Sequence, residues 1–429
     1  MSLNFEISEI KKNMFCAEFG LERESLRINA DGALAHTPHP FGLNSHIDRD
    51  FCENQVEFIT DVFTSPKEVC RQLRQLHIYA HKTLSALKSG REYLWCFSNP
   101  PYVNGEDDIP VAHFEGDLKQ KEVYRNYLAQ KYGKTKMLYS GIHLNFSFSE
   151  KLVAEGFKKS SFNSLREYKD NLYLELAKKV TSYSWLIVYL TASSSVMDGS
   201  FFDKNDKGKT LITDYSSSRC SEIGYWNDFV PLISYDSTQA YINSIQAYVD
   251  SGSLRAVSEL YYPVRLKPKG SNSLENLGKL GINHIELRMF DTNPLSPIGI
   301  FEEDIQFIHL LILYLISQPD IKFSKAEQKA AIINSKNGAK YDDESTLITI
   351  NNNSIPLKGA ALEVLEDMES FYAELENTSA LQSITAQKSK ILSSDKRYAA
   401  ILRKDFGKNY VEKGIELAKA YSDKLIKEG

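Results

Sequence analysis

Apolar and polar residues alternate along Ser140-Gly-Ile-His-Leu-Asn-Phe-Ser-Phe148, which predicts a strand with Ile142, Leu144, Phe146 and Phe148 on one face and His143, Asn145 and Ser147 on the other. Asn283–Phe290 repeats the pattern, setting Ile285, Leu287 and Met289 against Glu286 and Arg288. A third strand-like piece, Phe19–Arg27, carries Glu22 and Glu24 two apart and so on one face. Apolar spacings of three and four predict a helix over Ser65–Lys88, behind a Ser-Pro start. Leu118–Tyr132, Ser164–Ser194, Thr238–Gly252, Ile300–Ser317 and Pro356–Leu375 read as further helices. The most apolar runs, Trp185–Met197 and Phe307–Ile316, fall well short of the ~20 residues that span a bilayer and read as buried helices. Strands separated by helical insertions of unequal length fit an α+β fold, an antiparallel sheet with helices on its back. After about Gln318 the strand signal stops, apart from a short piece at Thr346–Asn351, so residues 318–429 read as a mostly helical extension packed on a unit formed by 1–317.

The length of 429 residues admits two or three ordinary domains or one large elaborated one. Lys and Arg total 51 against 56 Asp and Glu, a net charge of -5 with no basic block, which argues against a nucleic-acid groove and for a small-molecule or protein partner. The cysteines, Cys16, Cys52, Cys70, Cys96 and Cys220, form no CxxC pair, so neither a disulfide framework nor a zinc site is expected. That usage fits a reducing cytoplasm. The opening MSLNFEISEIKKN lacks the apolar run of a signal peptide, so neither secretion nor a membrane partner is expected.

Two rises of a strand put Glu22 and Glu24 ~6.6 Å apart, and at an effective dielectric of about 20 their charges repel by roughly 2.5 kcal/mol. Something positive belongs between them: a metal ion, an Arg or Lys, or a cationic ligand. One alternating strand means little, because any antiparallel sheet with a solvated face produces it. Three such strands, presenting Glu22 and Glu24, His143 and Asn145, Glu286 and Arg288, point to a shared site. The acid-rich stretch Asp50–Glu57 adds carboxylates to it. Carboxylates with one His and no thiolate suit Mg²⁺ or Mn²⁺ rather than zinc. An acid-lined site with arginines nearby fits nucleotide-dependent phosphoryl transfer. The chain has no GxxxxGK[ST] loop, and Gly252, Gly270, Gly278 and Gly281 are too dispersed for a dinucleotide fingerprint. Cys52 has no neighbour in sequence that would lower its pKa and reads as a passive small residue. His77 and His81, four apart on a helix, lack a third ligand and read as structural, and His36, His39 and His46 lie in a Pro-punctuated loop.

The segments GLERESLRINADGALAHTPHP, DRDFCENQVEFIT, YSGIHLNFS, SSSRCSEIGYWN, SELYYPVRLKP and GINHIELRMFDTNPLSPIGI follow in that order between Met14 and Ser317, with a tail match at Ile355–Leu375. In this order and spacing the chain resembles the bacterial glutamate-cysteine ligases (γ-glutamylcysteine synthetases). The resemblance implies a glutamine-synthetase-like fold, a curved antiparallel sheet forming a funnel, with 1–317 as the catalytic domain. It implies that ATP phosphorylates the γ-carboxylate of L-glutamate and that the amine of L-cysteine displaces phosphate, giving γ-glutamylcysteine, the first step of glutathione synthesis. Carried over by position, Glu22, Glu24, Asp50, Glu57, His143 and Glu286 match metal-binding residues. Arg288 and Arg125 match arginines facing the transferred phosphate, and Phe51, Tyr124, Arg219, Tyr225 and Tyr261 match the acceptor pocket. No residue is assigned to the base or ribose of ATP. Feedback inhibition by glutathione is a further implication. No second ATP-using module is read after the tail, so the chain is not expected to complete glutathione alone. Two alternatives stay open: a ligase of the same fold with another amine acceptor, and a binding homologue without turnover.

Overall fold

Strand β1 (Ala17–Ile28) organises the molecule, because it buries Phe19, Leu21, Leu26 and Ile28 and pairs antiparallel on both sides. The computed structural model describes residues 3, 5, 7–350 and 353–429. The remaining strands in chain order are β2 (Ile47–Arg49), β3 (Gln55–Ile59), β4 (Tyr93–Leu94), β5 (Gly141–Phe148), β6 (Val196–Asp198), β7 (Thr210–Ile212), β8 (Val264–Lys267), β9 (His284–Asp291), β10 (Leu347–Ile350) and β11 (Asn353–Pro356). Seven form one antiparallel sheet in the order β2-β3-β1-β5-β9-β8, with β4 also paired to β1. The sheet is open, with β2 and β8 at its edges. β6–β7 and β10–β11 form separate pairs. The α+β expectation holds.

Helices cover the apolar face. The helix Glu302–Ser317 is buried nearly all round, so it reads as a core helix rather than an amphipathic one. Its His309 ring lies 5.3 Å from Phe19 and 5.6 Å from Phe146, directly behind β1 and β5. Pro66–Ser85 is capped by Ser65 and places His77 and His81 under the same sheet. His77 Nε2 lies 2.9 Å from a guanidinium nitrogen of the buried Arg23, so the pair is core, as the spacing indicated. Lys119–Tyr132, Thr238–Asp250 and Leu357–Glu374 match the predicted helices to within a few residues at each end.

Two expectations need correction. Ser164–Ser194 is not one helix but two, Leu165–Ser182 and Ser184–Thr191, broken at Tyr183. The hydroxyls of Ser182 and Ser184 donate to the carbonyls of Lys178 and Thr181, and such local bonds compete with a regular ladder. The apolar run Trp185–Met197 also does not stay helical. It leaves the helix at Ala192, and Ser194 then exchanges backbone bonds with Ser216 and Ser218 before β6 begins. The strand expected at Thr346–Asn351 is present as β10, with Asn351 outside the described residues.

Residues beyond 317 pack onto the rest of the molecule through buried polar ties. Tyr372 Oη donates to the carbonyl of Leu310, Tyr410 Oη donates to that of Asn99, and Lys390 and Tyr398 both reach Asp304. Among the described residues no helix is long and apolar enough to cross a membrane.

The buried histidines make the fold acid-sensitive. Burial pushes His81 down to about 3 and His309 down to about 4, so both are neutral in the folded chain. Their contribution is complete above the unfolded value near 6.5 and is lost as pH falls toward those folded values, at on the order of 1.4 kcal/mol per pH unit each. Urea midpoints are expected to drop steeply as pH falls below about 6. His309→Phe should flatten that slope by one proton; an unchanged slope would refute the neutral-core reading.

Candidate active site

The polar face of the sheet carries a continuous ladder. Glu57 on β3 stands opposite Glu24 on β1, Glu22 on β1 opposite His143 on β5, Asn145 on β5 opposite Glu286 on β9, and Glu286 opposite Arg265 on β8. Directly opposed residues have Cβ atoms ~5 Å apart, so these side chains form one surface. That surface is the floor of a cleft of about 350 Å³, which Asp50, Phe51, Tyr124, Arg125, Arg219, Tyr225, Tyr261 and Arg288 also line. Every residue singled out from the sequence as metal-binding, catalytic or acceptor-binding lies in this one cleft.

The ladder is not regular. Between Ile142 and Leu144 the β5–β9 register shifts, so that Arg288 and Met289 both stand opposite His143. A bulge of this kind re-aims side chains. The predicted alternation on β9 holds through Met289, with Arg288 lining the cleft and Met289 in the core; beyond it Phe290 pairs with the core residue Ile142.

The cleft has two electrostatic ends. At one, Glu24, Glu57 and Asp50 crowd together: burial and Asp50 push the Glu24 carboxyl up to about 8, and burial with Asp50, Glu22 and Glu24 pushes Glu57 well above the carboxylate range. At the other, Glu286 meets Arg288 Nη1 at 3.1 Å, Lys267 Nζ at 3.1 Å and Arg265 Nη1 at 3.4 Å. Burial works against its charge, yet Arg288, Lys267 and Arg265 hold Glu286 well below the usual carboxylate range. A single carboxylate shared by these cations leaves that end positive. Acid end and basic end face one another across Glu22 and His143.

The residues present fit a hard divalent cation. Ligand atoms of Glu22, His143 and Glu286 lie within 4.8 Å of one another. His143 Nδ1 is 3.1 Å from the acceptor Glu22 Oε2 and 3.4 Å from the donor Arg288 Nη1, and the nearer carboxylate favours the ring proton on Nδ1. His143 Nε2 then offers a lone pair; it is buried, finds no hydrogen-bond partner among the described residues, and faces Glu24 Oε1 at 3.8 Å. A proton on the raised Glu24 carboxyl can fill that gap in the metal-free protein, and a divalent cation would take its place by displacing it. The donor set of carboxylates and one imidazole suits Mg²⁺ or Mn²⁺.

Arg219 lies at the aromatic end. Its Nη1 donates to the carbonyls of Arg288 and Phe290, which fixes the guanidinium along β9. Gly141 makes room for it: a Cβ at 141 would fall 2.2 Å from the guanidinium carbon. Gly141→Ala is therefore expected to expel Arg219 and raise the KM of whatever carboxylate it binds by roughly tenfold or more. Steady-state kinetics checks this, and an unchanged KM for every substrate would show that Arg219 binds none of them. Tyr225 and Tyr261 pack ring against ring beside it, their centroids 4.1 Å apart. Arg125 also lines the cleft, but it donates to the carbonyls of Asp50, Arg49 and Lys121 and lies 4.8 Å from the Phe114 ring. Its partners are carbonyl oxygens rather than a carboxylate, so it braces the turn bearing Asp50 and Phe51.

A family model described as glutamate-cysteine ligase matches residues 4–255 and 249–337. The chain belongs to the glutamate-cysteine ligase family. The glutathione biosynthesis bifunctional protein GshAB of Listeria monocytogenes is 35% identical over 435 residues, covering 97% of this chain and 56% of that protein. Its namesake from Streptococcus mutans is 36% identical over 360 residues, covering 82% and 45%. The chain spans about half the length of the curated relatives it matches. Among solved structures, a bifunctional glutathione synthetase from Pasteurella multocida superposes with a TM-score of 0.83 at 27% identity, covering 98% of this chain and 54% of that one. The glutamate-cysteine ligase of Francisella tularensis, solved with AMP, shares the fold with a TM-score of 0.84 at 24% identity, covering 96% and 89%.

Within this glutamate-cysteine ligase fold the cleft also holds residues that sequence reasoning missed: Arg265 and Lys267 of β8, together with Lys121 and Ser258. Arg265 and Lys267 alternate with Val264 and Leu266, the same period of two that exposed the other strands. β8 is only four residues long and follows Pro263, too short a signal to stand out.

Proposed function

We propose that this chain is an ATP-dependent ligase joining the γ-carboxylate of L-glutamate to the amine of L-cysteine, giving γ-glutamylcysteine, ADP and phosphate, in the cytoplasm as the first step of glutathione synthesis. The observation that carries the reading is the bipolar cleft of a glutamate-cysteine ligase fold, with crowded carboxylates at one end, Arg265, Lys267 and Arg288 at the other, and an aromatic pocket with Arg219 alongside. We assign catalysis to residues 1–317 and a supporting role to the helical extension 318–429.

A free carboxylate resists attack because its charge repels a nucleophile and oxide is no leaving group. In the proposed sequence a γ-carboxylate oxygen of glutamate bonds to the terminal phosphorus of ATP as the bond to ADP breaks. The cysteine amine then bonds to the acyl carbon, phosphate leaves with the electrons of the C–O bond, and the amine proton passes to solvent. Arg288, with Lys267 and Arg265 behind it, is placed to neutralise charge on the transferred phosphoryl group. Arg125 holds Asp50 and Phe51 in place and, lining the same cleft, is our second candidate to face the transferred phosphate. Arg219 pairs with the cysteine carboxylate while Phe51, Tyr124, Tyr225 and Tyr261 enclose its thiol end. Mg²⁺ or Mn²⁺, held by Glu22, Glu24, Asp50, Glu57, His143 and Glu286, would screen the phosphate oxygens from one another. Glutathione, whose γ-glutamyl and cysteinyl parts match both amino-acid substrates, would compete in the same cleft.

The test is mass-spectrometric detection of γ-glutamylcysteine from glutamate, cysteine and ATP. Its persistent absence with folded, metal-replete protein refutes the proposal. A higher specificity constant with 2-aminobutyrate or serine than with cysteine would replace the acceptor but keep the chemistry.

A further inference from the structure

Glu259 is a carboxylate with no exposure to solvent that lies outside the cleft lining, yet it gathers the segments that carry Tyr124, Tyr225 and Tyr261. Its Oε1 accepts from Lys131 Nζ at 2.7 Å, Tyr132 Oη at 2.8 Å and Tyr127 Oη at 3.3 Å, and its Oε2 accepts from the backbone N–H of Arg255 at 2.6 Å. Its own carbonyl accepts from Asn227 Nδ2 at 2.8 Å, while Asn227 Oδ1 accepts from the backbone N–H of Tyr261 at 2.9 Å. Three segments therefore meet at one residue: the helix Lys119–Tyr132 with Tyr124 and Arg125 at its carboxylate, the turn leading to Tyr261, and the Tyr225–Asn227 segment at its carbonyl.

That helix depends on the tie. Leu128 is its only fully buried residue, and Tyr124, Tyr127, Ala129 and Tyr132 are half-buried against the core, so polar ties share in fixing where it stands. Its N-terminal half is held through Lys121 on Asp48 and Arg125 on the carbonyls of Arg49 and Asp50. Its C-terminal end is held through Lys131, Tyr127 and Tyr132 on Glu259. Tyr132 also packs edge-on to Tyr261 at 5.5 Å, so any shift of the helix end moves the far wall of the pocket.

We propose that Glu259 is a positioning residue that sets the distance between Tyr124 and the Tyr225–Tyr261 pair, and with it the selectivity for the acceptor amino acid; this rests on the reading of that pocket as the acceptor site. An amide cannot replace the carboxylate. Whichever way the side chain of Glu259→Gln turned, its NH₂ would face either the Arg255 N–H or the Lys131 ammonium, donor against donor.

The experiment is steady-state kinetics on Glu259→Gln, with Tyr132→Phe as a variant that removes one hydroxyl and leaves the ion pair. Glu259→Gln is expected to raise the KM for cysteine by roughly tenfold and to narrow its preference over 2-aminobutyrate, while kcat and the KM values for ATP and glutamate stay within about threefold. Tyr132→Phe should shift the same parameter in the same direction by a smaller factor. A merely structural role would lower the melting temperature or kcat without moving the cysteine KM, and that result in both variants overturns the inference. Tyr261→Ala separates the two layers: if it too leaves the cysteine KM unchanged, the pocket is not the acceptor site. If it moves that KM and the Glu259 and Tyr132 variants do not, the positioning role alone fails.

Discussion

Glu22→Gln is expected to cut turnover by roughly three orders of magnitude while the metal-free protein stays folded and its melting temperature falls only modestly. Glu22 accepts from His143 and Asn145 and stands between the acid and basic ends of the cleft. The amide keeps the shape and one acceptor oxygen but removes the charge that would meet a divalent ion. Burial and Glu286 work against the Glu22 charge, yet His143 and Lys267 hold that carboxyl below the usual carboxylate range, so losing the charge costs the apo protein a little stability even as it disables the site. Glu286→Gln gives a larger fall in stability with a comparable activity loss. It deprives Arg265, Lys267 and Arg288 of their shared counter-ion, so its melting temperature should fall. Turnover assays and thermal melts on both variants check this. A near-normal rate for Glu22→Gln would show that the cation site lies elsewhere.

Glu92→Ala is expected to cost roughly 3–5 kcal/mol of stability, because it strands a buried cation. Arg27, on β1, has no solvent exposure, and its Nη1 donates to Glu92 Oε2 at 2.7 Å. The same guanidinium donates to Thr37 Oγ1 and to the carbonyls of Thr37 and Glu53, so it also anchors the segment leading to Asp50 and Phe51. Replacing both partners, Arg27→Met with Glu92→Leu, should cost less than Glu92→Ala alone, since no charge is then left unpaired. Urea denaturation of the single and double variants measures the difference. A single-variant loss below about 1 kcal/mol would mean that water reaches Arg27.

The candidate site was legible to the extent that its chemistry follows strand alternation. Glu22 with Glu24, His143 with Asn145, and Glu286 with Arg288 were visible as polar faces because a side chain's face on a strand is decided by its parity, a local property. Tyr124, Tyr225 and Tyr261 were not legible that way. Among so many aromatics nothing local separates a pocket wall from core, and only the likeness to a family singled them out. Arg265 and Lys267 obey the same alternation, but a four-residue strand carries too few repeats to be recognised. Among the helices, the break at Tyr183 escaped because Thr, Ser and Tyr at that point all tolerate helix, and the decision lay with hydroxyl-to-carbonyl bonds that an apolar pattern does not encode.

By itself the sequence determined the α+β class, the strands that carry carboxylates, the absence of a phosphate-binding glycine loop and the polar character of the face where these residues meet. Those properties depend on neighbours within a few positions, and short-range periodicity expresses them. The tertiary structure alone decided which strands lie side by side, that a bulge sets Arg288 beside His143, that Gly141 vacates the space Arg219 fills, and that Glu259 ties three remote segments into one pocket. Each of these joins residues tens to hundreds of positions apart, and such contacts are selected by packing of the whole chain rather than by any local preference.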